Sequence, residues 1–345
     1  MILSIYFGGS VVDKRIAVIG AGSWGTAMAI HMARHGYSVS LIARDAKKAN
    51  TMQSERLNAT YLPRHRFPEL LTVTADLPAA VQAADVVMLM LPSPSFNDCL
   101  AQIKSLVSTD TLICWGCKGL GLQQADPKFL HEIFISHFGP KHPMAVVGGP
   151  SFAKEVAQAV PTAIVVASSQ QTACSRLIAI LHHENMRCYS SPDILGVELC
   201  GVLKNILAVA AGISDGLTLG ANSRSALITR GLAEMQRLAN ALGARAETLM
   251  GLAGVGDVVL SCTSDLSRNR RLGLGLGRGE NLSQVMAEIG QVVESNNNIN
   301  VLLALASQHG VSLPITEQVA KVVTAEKTPE QAMKDLMARR PVAEL

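Results

Sequence analysis

Aromatic residues and charge are both scarce in this chain of 345 residues. Aromatic side chains make up 4% of the residues and include only two tryptophans, Trp24 and Trp115, which disfavours an aromatic-lined groove for sugars or single-stranded nucleic acid. Charged residues account for 17%, with 30 Lys and Arg against 27 Asp and Glu, and no basic run is long enough to follow a phosphate backbone. We therefore expect no nucleic-acid partner.

The seven cysteines do not indicate a disulfide framework, because their number is odd and most lie inside apolar stretches. Cys114 and Cys117 have C-x-x-C spacing, but they lie at the end of an apolar strand, and the chain lacks the second pair of cysteines that a zinc site needs. The nine histidines show no H-E-x-x-H spacing. We expect no metal and a reducing, cytoplasmic compartment.

No segment has the pattern of a membrane span, although apolar residues make up 48% of the chain. The longest candidate, Leu195–Ile213, contains Glu198 and Lys204, whereas a spanning helix needs about 20 residues nearly free of charge. Residues 1–13 lack the basic head and long apolar region of a signal peptide, so we expect an unordered leader there or a start codon placed too early.

Short apolar runs alternate with helical patterns in the first half of the chain. The candidate strands are Ile16–Ile19, Val39–Ile42, Val86–Leu91, Thr111–Trp115, Ala145–Val147 and Ile164–Ala167. Runs that are apolar throughout are typical of strands covered on both faces, so we predict an α/β fold with a doubly wound parallel sheet over residues 14–191. From about Ile194 the pattern is helical, which predicts an all-helical domain over residues 192–345.

Three segments of the second half contain residues that predict where individual helices begin or end, or where a loop lies. Asn222 or Ser223 is expected to cap a helix that ends before Gly243. Thr328–Gln331 has an N-cap threonine, a proline at the first helical position and a capping-box glutamine. The glycine-rich stretch Leu272–Glu280 is predicted to be a loop.

Gly20-Ala21-Gly22-Ser23-Trp24-Gly25 is a G-x-G-x-x-G motif that follows a strand and opens a helix. Gly20 suits the tight turn, Gly22 lets a pyrophosphate approach the backbone, and Gly25 allows close packing of helix and strand. The helix N-terminus then offers free N–H groups to the phosphates. In this context the motif predicts a dinucleotide site rather than a turn that serves packing alone.

The second strand is followed by Arg44, where an NAD site usually carries an acid for the ribose hydroxyl. A guanidinium there, with Lys47 and Lys48 nearby, favours a 2′-phosphate, and we predict that NADP(H) is preferred while NAD(H) is still used. A shift by one residue would make Asp45 the ribose acid, and Asp45 also suits a helix N-cap.

Lys204 stands alone on a helical face of apolar and small residues. Partial desolvation there would lower the pKa of the lysine towards a value useful for proton transfer; a lysine that reaches solvent from a core helix is an equal alternative. Lys118 and the turn Gly148–Ala153 both follow predicted strands, where ligands of such sheets collect. Asp257 follows a flexible turn, and Ser267–Arg271 suits a phosphate clamp or an exposed basic loop.

Five of these segments together resemble one family, the bacterial NAD(P)-dependent glycerol-3-phosphate dehydrogenases, from about Lys14 onward. The segments are Gly20–Gly25, Gly149–Ala153, Lys204-Asn205, Ala226–Leu232, and Gly251–Asp257 with Ser267-Arg268-Asn269. The resemblance implies a Rossmann domain followed by a helical domain similar to that of the 6-phosphogluconate dehydrogenases. It also implies the interconversion of sn-glycerol 3-phosphate and dihydroxyacetone phosphate for glycerophospholipid synthesis in the cytoplasm.

The resemblance assigns roles to individual residues, with Lys204 as the proton acceptor. The substrate-binding positions are Lys118, Gly149, Ser151, Lys204, Asn205, Asp257, Ser267, Arg268 and Asn269. The cofactor-binding positions are Gly20, Gly22, Ser23, Trp24, Gly25, Arg44, Lys118, Ala153, Arg268, Val292 and Glu294. The chain departs from the family pattern at Gly121 and in Ser295–Asn298, next to Val292 and Glu294.

The same residues suggest how ketone reduction would proceed. Lys204 would protonate the developing alkoxide, Lys118 and Asn205 would stabilise its charge, and Arg268 would hold the phosphate. Two alternatives stay open at this point: a related dehydrogenase of a β-hydroxy acid or ketopantoate, and a non-catalytic NADP-binding sensor. We also expect the protein to be a homodimer.

Overall fold

A computed structural model of the chain describes residues 14–123, 126–290 and 295–340. The chain divides into two compact units. The first unit runs to Gly121 and resumes over Lys128–Glu198, and the second comprises Leu122–Pro127 and the chain from Leu199 onward. The predicted leader, residues 1–13, lies outside the described residues, and the predicted boundary at residue 191 stays a prediction.

An eight-stranded sheet forms the first unit, with helices between its strands. The strands of the chain are β1 (Arg15–Ile19), β2 (Ser38–Ile42), β3 (Leu57–Asn58), β4 (Leu62–Arg66), β5 (Leu71–Thr74), β6 (Val86–Leu89), β7 (Leu112–Trp115), β8 (Gly121–Gln123), β9 (Asp126–Lys128), β10 (Met144–Gly148), β11 (Thr162–Ala167) and β12 (Met186–Ser191). The helices of this unit are α1 (Ser23–Arg34), α2 (Ala46–Glu55), α3 (Leu77–Gln82), α4 (Phe96–Ile103), α5 (Leu130–Phe138), α6 (Ala153–Ala157) and α7 (Gln171–Leu181).

The sheet has the strand order β12-β11-β10-β7-β6-β1-β2-β5. All neighbours in it are parallel except β10 and β11, which pair antiparallel where the short helix α6 returns the chain. The chain leaves β1 towards β2 and later returns to its other side with β6. The carboxyl end of β1 is therefore a topological switch point, where sheets of this kind bind ligands.

All six predicted strands are present in the eight-stranded sheet, but the sequence reasoning missed the other two strands of that sheet, β5 and β12, and the short pairs β3-β4 and β8-β9. Strands β5 and β12 lie at the edges of the sheet, and in both buried and exposed residues are mixed. The prediction relied on runs that are apolar throughout, and only interior strands are covered on both faces. This criterion therefore does not detect the strands at the edges of the sheet.

From Leu199 onward the second unit is helical within the described residues, whereas its segment Leu122–Pro127 contributes to the strands β8 and β9. Its helices are α8 (Ile194–Gly216), which begins in the first unit, α9 (Gly220–Leu242), α10 (Ala246–Met250), α11 (Asp257–Thr263), α12 (Arg268–Gly277), α13 (Leu282–Ile289), α14 (Ser295–Gln308), α15 (Pro314–Val323) and α16 (Pro329–Met337). The capping box predicted at Thr328 is confirmed, with both reciprocal hydrogen bonds formed. Gly243 ends α9 in the left-handed conformation as predicted, but α9 begins at Gly220, before the predicted caps.

The prediction of a loop over Leu272–Glu280 is wrong, because residues up to Gly277 belong to α12. A Cβ atom at Gly273 would lie 2.8 Å from the Ile213 nitrogen and nearer still to the Val209 oxygen, both on α8. Conversely, a Cβ at Gly212 would meet the backbone of α12. The glycines therefore allow two helix backbones to approach closely, and this packing outweighs the low helix propensity of glycine.

Helix α8 is long and apolar enough to cross a membrane by length and composition alone. Its most apolar window has a mean hydropathy of 1.8, yet 89% of that window is buried inside the protein. Both charged residues that the sequence analysis noted in it, Glu198 and Lys204, have charged partners in the fold. These properties are those of the core helix of a folded domain.

Candidate functional site

The glycine motif lies at the carboxyl end of β1, at the switch point of the sheet. Gly20 has a φ of +114°, a conformation that L side chains rarely adopt, and its N–H donates to the Ile42 oxygen at 3.1 Å. A Cβ at Gly25 would overlap the Gly20 oxygen. Both residues therefore have the roles that the motif predicts, a tight turn and close packing of α1 on the strand.

The residues around this turn fit a bound dinucleotide. A Cβ at Gly22 would meet nothing within 4 Å, so the backbone is open to a ligand there. Gly22 is the N-cap of α1, and its first turn, which begins with Ser23 and Trp24, carries no acidic residue that would repel a phosphate. The Trp24 Nε1 is buried and has no hydrogen-bond partner among the described residues.

Asn58 is a residue of this region that the sequence reasoning missed. It lies on β3 and is 2% exposed, and its Nδ2 donates to the Ala21 oxygen at 3.0 Å and to the Thr26 Oγ1 at 2.9 Å. Because Asn58 is 37 residues from Ala21 in sequence, no local pattern indicates the contact.

Arg44 lies two residues after the end of β2 and is exposed. The neighbouring Asp45 is the N-cap of α2, and its Oδ1 accepts from the Lys48 N–H at 2.8 Å. One oxygen of Asp45 is thus engaged by its own helix. The N-cap predicted as an alternative for Asp45 is confirmed, and the contact of Arg44 with the adenosine ribose stays a prediction.

Lys118, Gly149, Ser151 and Ala153 follow two neighbouring strands. Lys118 comes three residues after β7, and Gly149 follows β10 with a φ of +101°. The Ser151 Oγ donates to the Gly149 oxygen at 3.1 Å, and Ala153 begins α6. Since β7 and β10 are parallel neighbours in the same sheet as β1, these residues lie at the edge that carries the glycine motif.

Lys204 is the centre of a buried polar cluster in the second unit. Its Nζ lies 2.9 Å from the Asp257 Oδ1 and donates to the Ser261 Oγ at 2.9 Å. Lys204 is 7% exposed, and Asp257 and Ser261 are each 2% exposed. Lys204 is therefore not a lysine that extends into solvent but a buried lysine whose Nζ is held by a carboxylate and a hydroxyl.

Burial also raises the pKa of the neighbouring Cys262 thiol to about 12, with the charges of Lys204 and Asp257 acting in opposite directions. The thiol therefore stays protonated at neutral pH and does not compete for the proton of Lys204. Sequence reasoning missed Ser261, which lies one helical turn after Asp257 on α11.

The Ser267–Arg271 segment begins α12 and is only partly the clamp that the sequence predicts. Ser267 caps the helix by accepting from the Arg270 N–H, and Arg268 is the first helical residue. The Asn269 Nδ2 donates to the Asn205 Oδ1 at 2.9 Å, which joins α12 to α8 next to Lys204.

Arg270 is held by the fold and is not available as a clamp. It is 9% exposed and forms ion pairs with Asp265 and with Asp215, the latter at 2.6 Å. The predicted contacts Val292 and Glu294 lie outside the described residues. No group of three or more His, Cys, Asp or Glu side chains that could hold a metal ion occurs within residues 14–123, 126–290 and 295–340.

Glu198 forms a second buried polar network at the start of α8. Its carboxylate accepts from the Trp115 Nε1 at 2.9 Å and lies 2.6 Å from the His131 Nδ1. Burial opposes the charged imidazolium, but the hydrogen bond and charge of Glu198 outweigh it and raise the pKa of His131. The network accounts for a carboxylate inside an apolar helix.

Comparison with known sequences matches two family models. Residues 15–174 match the N-terminus of NAD-dependent glycerol-3-phosphate dehydrogenase, and residues 193–334 match its C-terminus. A glycerol-3-phosphate dehydrogenase [NAD(P)+] from Xanthomonas oryzae pv. oryzae is 48% identical over 325 residues, which is 94% of this chain and 95% of the relative.

Solved structures agree with the sequence comparison. The crystal structure of glycerol-3-phosphate dehydrogenase from Coxiella burnetii has a TM-score of 0.91 and 44% identity, and the match covers 95% of this chain and 99% of that one. A ketopantoate reductase from Ralstonia eutropha shares the fold alone, with a TM-score of 0.60, 17% identity and coverage of 92% of this chain and 99% of that one.

Proposed function

Because this chain belongs to the NAD-dependent glycerol-3-phosphate dehydrogenase family, we propose that it interconverts sn-glycerol 3-phosphate and dihydroxyacetone phosphate with NAD(P) as the cofactor. The observation that carries this proposal beyond family membership is the buried cluster of Lys204, Asp257 and Ser261. The reaction supplies glycerophospholipid synthesis in the cytoplasm, and the enzyme acts as a homodimer.

Lys204 is the proton donor in the direction of ketone reduction. The Asp257 carboxylate favours the ammonium form of Lys204, so the proton stays on nitrogen until the substrate oxygen becomes negative. The Lys204 Nζ then protonates that oxygen, and in the oxidative direction the neutral amine removes the hydroxyl proton. The bound reduced nicotinamide supplies the hydride.

Substrate orientation comes from residues on both sides of Lys204 in the second unit. Asn205, fixed by its hydrogen bond from Asn269, donates to the oxygen that becomes negative. Arg268, at the N-terminus of α12, holds the phosphate together with Ser267, so binding energy remote from the carbonyl positions it for reaction. Lys118, Gly149, Ser151 and Asp257 complete the proposed set of substrate contacts.

The glycine motif holds the cofactor pyrophosphate. Gly20, Gly22, Ser23, Trp24 and Gly25 bind it through the turn and the N-terminus of α1. Ala153 at the N-terminus of α6 and Arg268 are further cofactor contacts by the family pattern.

The function is tested by a steady-state assay of the purified chain with dihydroxyacetone phosphate and each reduced cofactor. We expect turnover with phosphate-bearing ketone and competitive inhibition by glycerol phosphates. Turnover of a β-hydroxy acid or ketopantoate without any response to phosphate competitors would overturn the substrate assignment. Cofactor binding without turnover of any of these compounds would instead indicate a sensor.

Arg44 sets the cofactor preference in this proposal. Its guanidinium pairs with the 2′-phosphate of NADP, a charge-assisted contact worth about 10- to 100-fold in affinity. NADPH should therefore have the higher kcat/KM with NADH still used, and Arg44→Asp should reverse the order. The preference of the unmodified enzyme should shrink as salt is raised. Equal use of both cofactors before and after the substitution would mean that Arg44 makes no contact with the ribose.

A further inference from the structure

Asn58 lies outside the glycine motif in sequence but is hydrogen-bonded to it. Its side-chain amide makes three hydrogen bonds: the Nδ2 donates to the Ala21 oxygen at 3.0 Å and to the Thr26 Oγ1 at 2.9 Å, and the Oδ1 accepts from the Tyr61 N–H at 3.3 Å. Asn58 is 2% exposed, so these bonds are sheltered from water.

The orientation of this amide follows from its partners. The Ala21 atom is a carbonyl oxygen, which can only accept, and the Tyr61 atom is an N–H, which can only donate. Rotating the Asn58 amide by 180° would place oxygen against oxygen and nitrogen against nitrogen. The Nδ2 therefore faces the glycine motif.

This contact sets the direction of one peptide plane in the motif. In a planar trans peptide the C=O and the following N–H point in opposite directions. When the Ala21 oxygen is held by Asn58, the Gly22 N–H points away from Asn58. Gly22 is also the residue at which the backbone is open to a ligand.

We propose that Asn58 is a positioning residue for the cofactor pyrophosphate, because it holds the Ala21–Gly22 peptide with its N–H directed at the phosphates. Without Asn58, the Ala21 carbonyl could rotate towards the same space and oppose the negative charge there. The second bond, to Thr26 in the first turn of α1, holds the Asn58 side chain in place but does not contact the Ala21–Gly22 peptide. The inference rests on the proposed dinucleotide function of the motif.

An asparagine is required at this position for its donor. Aspartate has the same shape and can still accept from the Tyr61 N–H, but it would place a carboxylate against the Ala21 oxygen. Serine is too short to reach all three partners. Both substitutions should therefore release the peptide, and aspartate should also add negative charge near the phosphates.

The test is a fluorescence titration of NADPH and NADH with the full chain, supported by displacement with ADP-ribose, which carries the pyrophosphate. Asn58→Ser should raise the Kd of all three ligands about 10-fold, and Asn58→Asp should raise it further. Since the pyrophosphate is common to both cofactors, the ratio of their Kd values should not change. At saturating cofactor, kcat should stay close to that of the unmodified enzyme.

Thr26→Val is the matched control, because it removes the other hydrogen bond of the same amide and keeps the bond to Ala21. We expect it to lower the unfolding midpoint, although less than Asn58→Ser, which disrupts more of these bonds, and to leave the Kd values nearly unchanged. Equal weakening of binding by Thr26→Val and Asn58→Ser would overturn the inference, since the effect would then be structural. Unchanged binding in both Asn58 variants would overturn it as well.

The outcome also separates the inference from the function on which it rests. If the unmodified protein binds none of the three ligands, the dinucleotide function fails. If it binds them and the Asn58 variants bind equally well, only the role of Asn58 fails. Should Asn58→Ser not fold, Asn58→Asp, which preserves the size of the side chain, carries the same comparison.

Discussion

The crossing of α8 and α12 brings together the two helices that carry the proposed catalytic and phosphate-binding residues. Gly273 lies one helical turn after Asn269 on α12, and Val209 lies one turn after Asn205 on α8. The close approach at Gly273 is therefore about 6 Å along each helix from the hydrogen bond between Asn205 and Asn269. Replacing Gly273 by alanine should push the helices apart at this point.

The magnitude follows from the space at the crossing. A Cβ at Gly273 would lie 2.8 Å from the Ile213 nitrogen and nearer to the Val209 oxygen, whereas real Cβ atoms essentially never come within 3.0 Å of another atom. Overpacking costs typically about 1–3 kcal/mol, and the better helix propensity of alanine returns about 1 kcal/mol. We expect a loss of about 0–2 kcal/mol in the free energy of unfolding. A shift approaching 1 Å at Asn205 should lower kcat/KM for dihydroxyacetone phosphate roughly 10- to 100-fold.

Gly275→Ala provides the matched control, because it makes the same change in the same helix. Its Cβ would also lie too close to other atoms, but these are side-chain atoms of Val285, at 2.5 Å, and Glu280, at 2.9 Å, and not the backbone of α8. Urea unfolding and steady-state kinetics should show a loss of stability in both variants, normal activity for Gly275→Ala and reduced activity for Gly273→Ala. Equal kcat/KM values in the two variants would refute the reasoning that backbone contact at the crossing positions the site.

Three further changes test other parts of the structure. Lys204→Met should lower kcat about 100-fold or more, as expected for loss of a positioned proton donor, while cofactor titration shows unchanged binding; near-normal kcat in the folded variant would remove Lys204 from the mechanism. Arg268→Ala should raise KM for dihydroxyacetone phosphate much more than for dihydroxyacetone, and an equal rise would assign Arg268 to the cofactor or the fold. Burial, together with the charges of His35, His183 and Arg34, lowers the pKa of His31 from 6.5 to about 4. The unfolded chain therefore binds a proton at His31 below pH 6.5, whereas the folded protein does so only below about pH 4. His31 should therefore contribute a fall of about 2 kcal/mol in stability between pH 7 and pH 5, and urea unfolding of His31→Gln should show a fall smaller by about this amount.

Sequence reasoning succeeded where the determinants are close together in the chain. The capping box at Thr328 and the left-handed glycine at Gly243 depend on contacts within one helical turn, and both are confirmed. The turn at Gly20 is as local, since a strand, a glycine turn and a helix follow one another directly. Such segments have nearly the same energetic preferences in any fold.

It failed where partners are distant in sequence. Asp257 is 53 residues from Lys204 and Asn58 is 37 residues from Ala21, so the local sequence pattern predicts neither contact. Without Asp257, the isolated Lys204 could be interpreted as a lysine that reaches solvent. The glycines of α12 are a further example. Their low helix propensity predicts a loop, and only the close contact with the backbone of α8, which is distant in sequence, explains why they form a helix.

Helix α8 explains why several ambiguous signals occur in one segment. A helix buried on nearly all sides must be apolar, so it acquires the hydropathy of a membrane span. An unpaired buried charge costs several kcal/mol, so each charged group in this helix needs a hydrogen-bonding partner. Glu198 is hydrogen-bonded to His131 and Trp115, and Lys204 to Asp257 and Ser261. A charged residue kept in such a helix at that energetic cost is retained either for specificity of the fold or for chemistry. The two differ in what lies beside them: Glu198 holds Trp115 and His131 in place, whereas Lys204 is followed by Asn205, a proposed substrate contact that is hydrogen-bonded to Asn269, and is itself the proposed proton donor.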